Sequence, residues 1–171
     1  MNGYGMFRYC SNLSTFTSDL SSLTGGSYMF YGCTNLTTFT SDLSSLTSSS
    51  YMFCDCSALT TFTSDLSSLT SGYAMFYGCT NLTTFISNLS SLTDGYRMFY
   101  KTKLNSQSVM YIADSIKDIA AERKLYTDGI IPYVTKDSET NKYSAPRGFM
   151  SNRTYVYTYN SPKSYTTTIS A

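Results

Sequence analysis

Four cysteines, Cys10, Cys33, Cys56 and Cys79, recur at a constant interval of 23 residues, and a fifth, Cys54, stands two places before the third of them. Thiolate sulfur is both a strong metal ligand and a strong nucleophile, so this file is the first place to look for chemistry. A zinc site at Cys54-x-Cys56 needs two further ligands, and the sequence offers no second close cysteine pair and no histidine. Cysteines stacked one per turn of a regular coil lie about 4.8 Å apart, within reach of a disulfide, but parallel Cβ vectors oppose the dihedral that a disulfide needs. The four are therefore expected to be reduced thiols filling a core, with Cys54 exposed.

Two other files share the interval. Asp19, Asp42 and Asp65 continue into Asn88. Stacked carboxylates repel one another unless they accept backbone N–H groups or share a cation. Turn capping is the favoured reading, with calcium as the alternative. Thr15, Thr38, Thr61 and Thr84 form an outward file, and Thr17, Thr40 and Thr63 form the next, which ends at Ile86. Threonine suits any exposed strand, yet two parallel files also make a surface that a ligand could contact. They resemble the Thr-x-Thr faces of β-helical ice-binding proteins, although only the first three copies hold a complete Thr-x-Thr. A continuous tyrosine file is not expected, because the column of Tyr31, Tyr77 and Tyr100 opens with Arg8 and is interrupted by Cys54.

The absence of histidine removes Ser-His-Asp and Cys-His nucleophiles, imidazole metal sites and histidine pH switches. No phosphate-binding glycine loop or helical metal motif is present. No catalytic residue, metal or cofactor is expected. Net charge is +1, which gives no reason to expect nucleic acid, and no apolar run approaches the roughly 18 residues of a membrane span. Met1-Asn2-Gly3-Tyr4 lacks the basic and apolar regions of a signal peptide.

What positions these files is the repeat. "MFRYCSNLSTFTSDLSSLTGGSY" begins at Met6, three further copies begin at Met29, Met52 and Met75, and a fifth begins at Met98 and breaks down after Tyr100. In the second copy the apolar columns are Met29, Phe30, Cys33, Leu36, Phe39, Leu43 and Leu46. One copy buries too little to order its own backbone, so neighbours must stack, as in a solenoid. Leu36–Thr40 reads as a strand with Phe39 inward and Thr38 and Thr40 outward. Ser41-Asp42 supplies a turn, and the Tyr-Met-Phe-x-x-Cys segment reads as one helical turn. Strands of successive copies are expected to pair in parallel.

"MFYGCTNLTTF" and its sister copies resemble the 23-residue leucine-rich repeats of BspA-like, Treponema-type bacterial surface proteins over residues 6–104, with Phe7, Phe30, Phe53 and Phe76 and the four cysteines in register. The chain departs from that pattern in having Phe16, Phe39, Phe62 and Phe85 as the inward residue and Ser18, Ser41, Ser64 and Ser87 at the next inward position. The resemblance implies a curved solenoid used for adhesion or protein binding, usually outside the cell, without enzymatic activity.

The expected fold is an α/β solenoid of the leucine-rich repeat class. It has a repeat domain over 1–104, a capping helix over 105–124 and a Tyr-rich, β-like region over 125–171. Asn105-Ser106 caps the helix, and Val109, Ile112, Ile116 and Ile119 form its apolar stripe. Tyr155, Tyr157 and Tyr159 would share one strand face and form an interface. The expected function is a non-catalytic protein-interaction or adhesion module, secreted or at the cell surface if the chain is part of a longer exported one. Thr15, Thr17, Thr38, Thr40, Thr61, Thr63 and Thr84 would face a protein or surface glycan. The alternative is a structural subunit of a homo- or hetero-assembly, such as a virion or surface fibre. The first copy begins after five residues without a capping unit, which favours a fragment or an assembly subunit.

Overall fold

The computed structural model describes residues 1–105, Gln107, Ser108, Tyr111, Ile112, Ser115 and four strands nearer the C-terminus. Each copy of the repeat makes one coil, and one two-residue strand stands in each: β1 (Thr15–Phe16), β2 (Thr38–Phe39), β3 (Thr61–Phe62) and β4 (Thr84–Phe85). The strands are this short because only Thr-Phe alternates cleanly; the Ser-Asp pair that follows turns the chain away. Pairing is parallel and in register, with Thr15 beside Thr38 and Thr61 beside Thr84.

The sheet is less continuous than the repeat suggests, because β1–β2 and β3–β4 are separate ladders. The break coincides with one substitution. Asn35 and Asn81 donate from Nδ2 to Ser11 O and Ser57 O of the coil before, at 2.8 and 2.9 Å. Ala58 holds that position in the third copy and reaches Thr34 O with its backbone N–H, at 3.2 Å. The amide brace and the ladder are lost at the same junction.

A second line of parallel bridges runs unbroken through Asn2, Gly25, Ser48, Ser71 and Asp94. Beside it, the hydroxyls of Thr24, Thr47, Thr70 and Thr93 each donate to the carbonyl 23 residues earlier, at 2.8–3.2 Å. This column was not singled out in the sequence, and it knits every coil to the last.

The segment expected to be a helical turn is instead a chain of tight turns. Met29 N, Tyr31 N and Cys33 N donate to carbonyls three residues back, and Phe30 N crosses to Met52 O of the next coil at 2.9 Å. Left-handed residues punctuate the segment at two places per coil. One set is Gly5, Tyr28, Tyr51, Ala74 and Arg97; the other is Tyr9, Gly32, Asp55, Gly78 and Lys101, all with φ between 49° and 74°. A left-handed residue cannot continue a right-handed helix, so the chain reverses instead.

The core is two interleaved phenylalanine stacks. Phe7, Phe30, Phe53, Phe76 and Phe99 stack with centroids 5.3–5.7 Å apart. Phe16, Phe39, Phe62 and Phe85 stack at 5.6–5.9 Å. Each stack meets the other edge-on, as at Phe39–Phe53, 4.8 Å. Leu36, Leu43, Leu46, Met29 and their counterparts complete the interior.

Beyond the coils, Gln107, Ser108, Tyr111, Ile112 and Ser115 are helical, whereas Val109, Ile116 and Ile119 lie outside the described residues. Strands β5 (Thr135–Asp137), β6 (Lys142–Ala145), β7 (Thr154–Asn160) and β8 (Ser164–Ser170) form an antiparallel sheet in sequential order. No described helix is long and apolar enough to cross a membrane.

Candidate interaction surfaces

On the strand side, Thr15, Thr17, Thr38, Thr40, Thr61 and Thr63 are exposed, Thr84 is half-buried, and the alternating phenylalanines are buried. Outward threonine and inward phenylalanine follow from the two-residue period of extended chain. The residues named from sequence are thus brought together in two files, but the ladder break between β2 and β3 divides them into pairs of coils. Ser41 and Ser87 point inward as expected, whereas Ser18 is exposed and Ser64 half-buried. Ser87 Oγ accepts Leu66 N at 3.0 Å, and Ser41 Oγ has no partner among the described residues.

The acidic file caps turns. Asp19, Asp42, Asp65 and Asn88 each accept the N–H of the serine two residues on, at 2.8–2.9 Å. The Ser21 backbone bond holds the Asp19 carboxyl below the usual 3.8. Asn88 makes the same bond without charge, so Asp42→Asn should leave stability nearly unchanged while Asp42→Ala costs about 1 kcal/mol, read by urea unfolding. Equal losses for both substitutions would mean that the charge, and not the bond, matters.

All five cysteines are free. Cys33, Cys56 and Cys79 are fully buried and donate from Sγ to Phe7 O, Phe30 O and Phe53 O, at 3.0–3.2 Å. In the fifth coil Thr102 takes this column and bonds Phe99 O with its hydroxyl at 2.7 Å. Two expectations are corrected. Cys10 is exposed, whereas its counterparts Cys33, Cys56 and Cys79 in the following coils are buried. Cys54 is buried at 3% exposure, although Tyr31 and Tyr77 of the same column are half-buried and Tyr100 is exposed. A thiol reagent should therefore modify one cysteine quickly in the native protein and all five after denaturation, and Cys10→Ser should remove the fast phase.

The turn side carries what the sequence reading missed. Tyr4, Tyr28, Tyr51, Tyr73 and Tyr96 form a continuous ladder, with successive centroids 5.6, 5.0, 5.2 and 5.5 Å apart. Column alignment hides it, because Tyr28 and Tyr51 directly precede methionine whereas Tyr4, Tyr73 and Tyr96 stand one residue earlier. The usable signal was a tyrosine within two places of Met-Phe in every copy. Arg8 Cζ lies 4.9, 5.4 and 5.2 Å from the Tyr9, Tyr28 and Tyr31 rings. Arg97 lies over Tyr96 and Tyr100, and Lys101 over Tyr77.

Tyr155, Tyr157 and Tyr159 occupy alternate positions of β7, opposite Ile169, Thr167 and Tyr165 of β8. Their side chains lie outside the described residues. Among the described residues no group of three or more Cys, Asp or Glu side chains is placed to hold a metal ion.

No curated protein and no solved structure matches the chain. The family model of the BspA type leucine-rich repeat region does match, in six copies over residues 3–123, which reaches past the five Met-Phe starts and through the segment read as a cap. The register of the phenylalanine and cysteine columns and the one-strand coils agree with that match, and the chain belongs to the BspA type leucine-rich repeat family.

Proposed function

We propose that this chain is a non-catalytic interaction module, of the protein-binding or adhesive kind, that acts at a cell surface or after secretion. The observation that carries the reading is the exposure of Thr15, Thr17, Thr38, Thr40, Thr61 and Thr63 in two files above a buried phenylalanine layer. Such a face offers hydroxyls and methyls on rigid supports, so a protein or surface glycan can be met with little loss of conformational entropy. A family built from stacked coils suits extended contact better than an enclosed active site.

Residues 105–124 act as the cap of the solenoid in this reading. Two contacts support it: Ile112 is 1% exposed, and Ser108 Oγ accepts Phe85 N at 2.9 Å while donating to Thr83 O. The capping hydroxyl thus satisfies backbone groups that a further coil would otherwise bond.

The test is adhesion of protein-coated beads to cultured epithelial cells, with a printed glycan array run in parallel. Thr38→Glu with Thr61→Glu should abolish binding while the circular dichroism spectrum stays unchanged. Retained adhesion would dismiss the strand side as the contact surface.

A second reading is a structural subunit of a larger assembly such as a virion or surface fibre, with Tyr155, Tyr157 and Tyr159 at the interface. It is favoured by the antiparallel sheet, whose outer strands among the described residues are β5 and β8, the kind of edge that pairs with another chain. Light scattering coupled to size exclusion separates the two readings, since a monomer speaks against assembly.

A further inference from the structure

The first three copies read Thr-Phe-Thr-Ser-Asp-Leu-Ser where the fourth, from Thr84 to Ser90, reads Thr-Phe-Ile-Ser-Asn-Leu-Ser. Two changes fall together, Ile86 for threonine and Asn88 for aspartate. The second turns a capping residue into the start of Asn88-Leu89-Ser90, the Asn-x-Ser pattern of an N-glycan acceptor. Triplets of this kind also start at Asn12, Asn35, Asn81 and Asn152, so the pattern alone selects nothing.

The structure separates them. Asn35 and Asn81 spend Nδ2 on Ser11 O and Ser57 O. The hydroxyls that end their triplets, on Thr37 and Thr83, donate to Ser14 O and Thr60 O at 3.0 and 3.3 Å. The amide and the hydroxyl that a transferase must engage are thus both bonded to the preceding coil. Asn152 lies outside the described residues, and among the described residues nothing orients the exposed Asn12 amide. Asn88 and Ser90 are exposed, and Ser90 N donates to Asn88 Oδ1 at 2.9 Å. Because a backbone N–H only donates, the amide oxygen faces the turn and Nδ2 faces away.

We propose that Asn88 is the acceptor of an N-linked glycan whose first sugar is seated on Ile86. Ser87 is buried while Ile86 and Asn88 on either side of it are exposed, so those two side chains leave the coil on the same side. Ile86 is 41% exposed, and the apolar face of a pyranose ring would cover it. Nδ2 attacks the anomeric carbon of a sugar carried on a lipid diphosphate. The carbon–oxygen bond to the diphosphate breaks, the carbon–nitrogen bond forms, and lipid diphosphate leaves. One amide proton passes to a base of the transferase. Negative charge gathers on Oδ1 as that proton goes, where the Ser90 N–H already stands to meet it. Asp19, Asp42 and Asp65 hold the same cap with no nitrogen to offer.

The site rests on the export half of the reading given above, since only an exported chain meets such a donor. Supplying the transferase to the purified folded chain removes that dependence, so failure there counts against the site and not the location. The probe is a single-subunit oligosaccharyltransferase that reads Asn-x-Ser/Thr, with lipid-diphosphate-linked chitobiose as donor and occupancy counted by mass spectrometry of proteolytic peptides. Asn88 should be modified at least about tenfold faster than Asn35 or Asn81, whose hydrogen bonds must first be broken. Asp42→Asn completes the same triplet with Leu43 and Ser44 and should gain a site. The glycosylated chain should melt at a higher temperature than the unmodified one. Ile86→Thr, which restores the residue of the other copies, should erase that gain and leave transfer in place. No transfer to Asn88, equal rates at Asn88, Asn35 and Asn81, or no gain by Asp42→Asn overturns the acceptor. A melting gain that survives Ile86→Thr overturns the seat on Ile86.

Discussion

Replacing Phe53 with alanine should destabilise the protein by about 3–5 kcal/mol, the range seen when a fully enclosed aromatic ring is removed. Phe53 is fully buried, lies 5.4 Å from Phe30 above and Phe76 below, and receives the edges of Phe39 and Phe62. Each aromatic pair adds roughly 0.5–1.5 kcal/mol beyond the area it covers, so the loss falls at the upper end of the range. Phe7→Ala is the comparison. Phe7 is half-buried and stacks on one neighbour, Phe30, so its loss should cost about half as much. Because each coil touches only its neighbours, a hole at the third coil should also uncouple the coils on either side. Urea unfolding of Phe53→Ala should then show two transitions where Phe7→Ala shows one. Equal costs at the two sites would mean that the stack carries no cooperative load.

Stability should also fall steeply above pH 9. Burial raises the Cys33 thiol from its ordinary 9.0 to about 11 and the Cys54 thiol to about 12. Burial also pushes Cys56 and Cys79 well up. The Tyr73 hydrogen bond, with partial burial, lifts Tyr51 from 10.0 to about 12, and burial raises Tyr31. A group held protonated in the folded state favours folding below its unfolded pKa and loses that contribution as pH rises towards its folded value. The window therefore opens near 9.0, where unfolded thiols ionise, and closes near 11 to 12. Urea midpoints measured from pH 7 to about 10.5 should be flat at first and then drop, and Cys56→Ala should make the drop shallower by removing one proton uptake. Thr102 already serves in that column, so Cys56→Thr is a second control with a hydroxyl in place of the thiol. A flat profile through pH 10.5 would contradict the burial of the thiol file.

The fold was legible in the sequence to the extent that one copy could be checked against the next. Met29, Phe30, Cys33, Leu36, Phe39, Leu43 and Leu46 recur in register, and all are buried. The Asp42 cap was readable because Asp-Leu-Ser places an N–H two residues beyond a carboxylate. What failed were features that depend on differences between copies. The left-handed residues could not be seen, because Tyr9, Asp55 and Lys101 share with Gly32 and Gly78 a backbone state that side-chain type alone would assign only to the glycines. Cys54 and Cys10 were misjudged because exposure depends on what the adjoining coil places above a residue, which the residue itself does not encode. The tyrosine ladder was missed because its rings come from two adjacent positions, the left-handed residue itself at Tyr28 and Tyr51 and the residue before it at Tyr4, Tyr73 and Tyr96.

The alternation of Tyr9, Gly32, Asp55, Gly78 and Lys101 at one left-handed position has a further consequence. A methyl placed on Gly32 would meet the Tyr9 ring at 2.6 Å, and one on Gly78 would meet the Asp55 carboxylate, so every second coil is hollowed to admit the side chain of its predecessor. The true building block is thus a doublet of 46 residues. Excising residues 29–74 would preserve the alternation, whereas excising 29–51 alone would set Tyr9 against Asp55. Lengthening or trimming this scaffold in odd steps is penalised, and even steps are free.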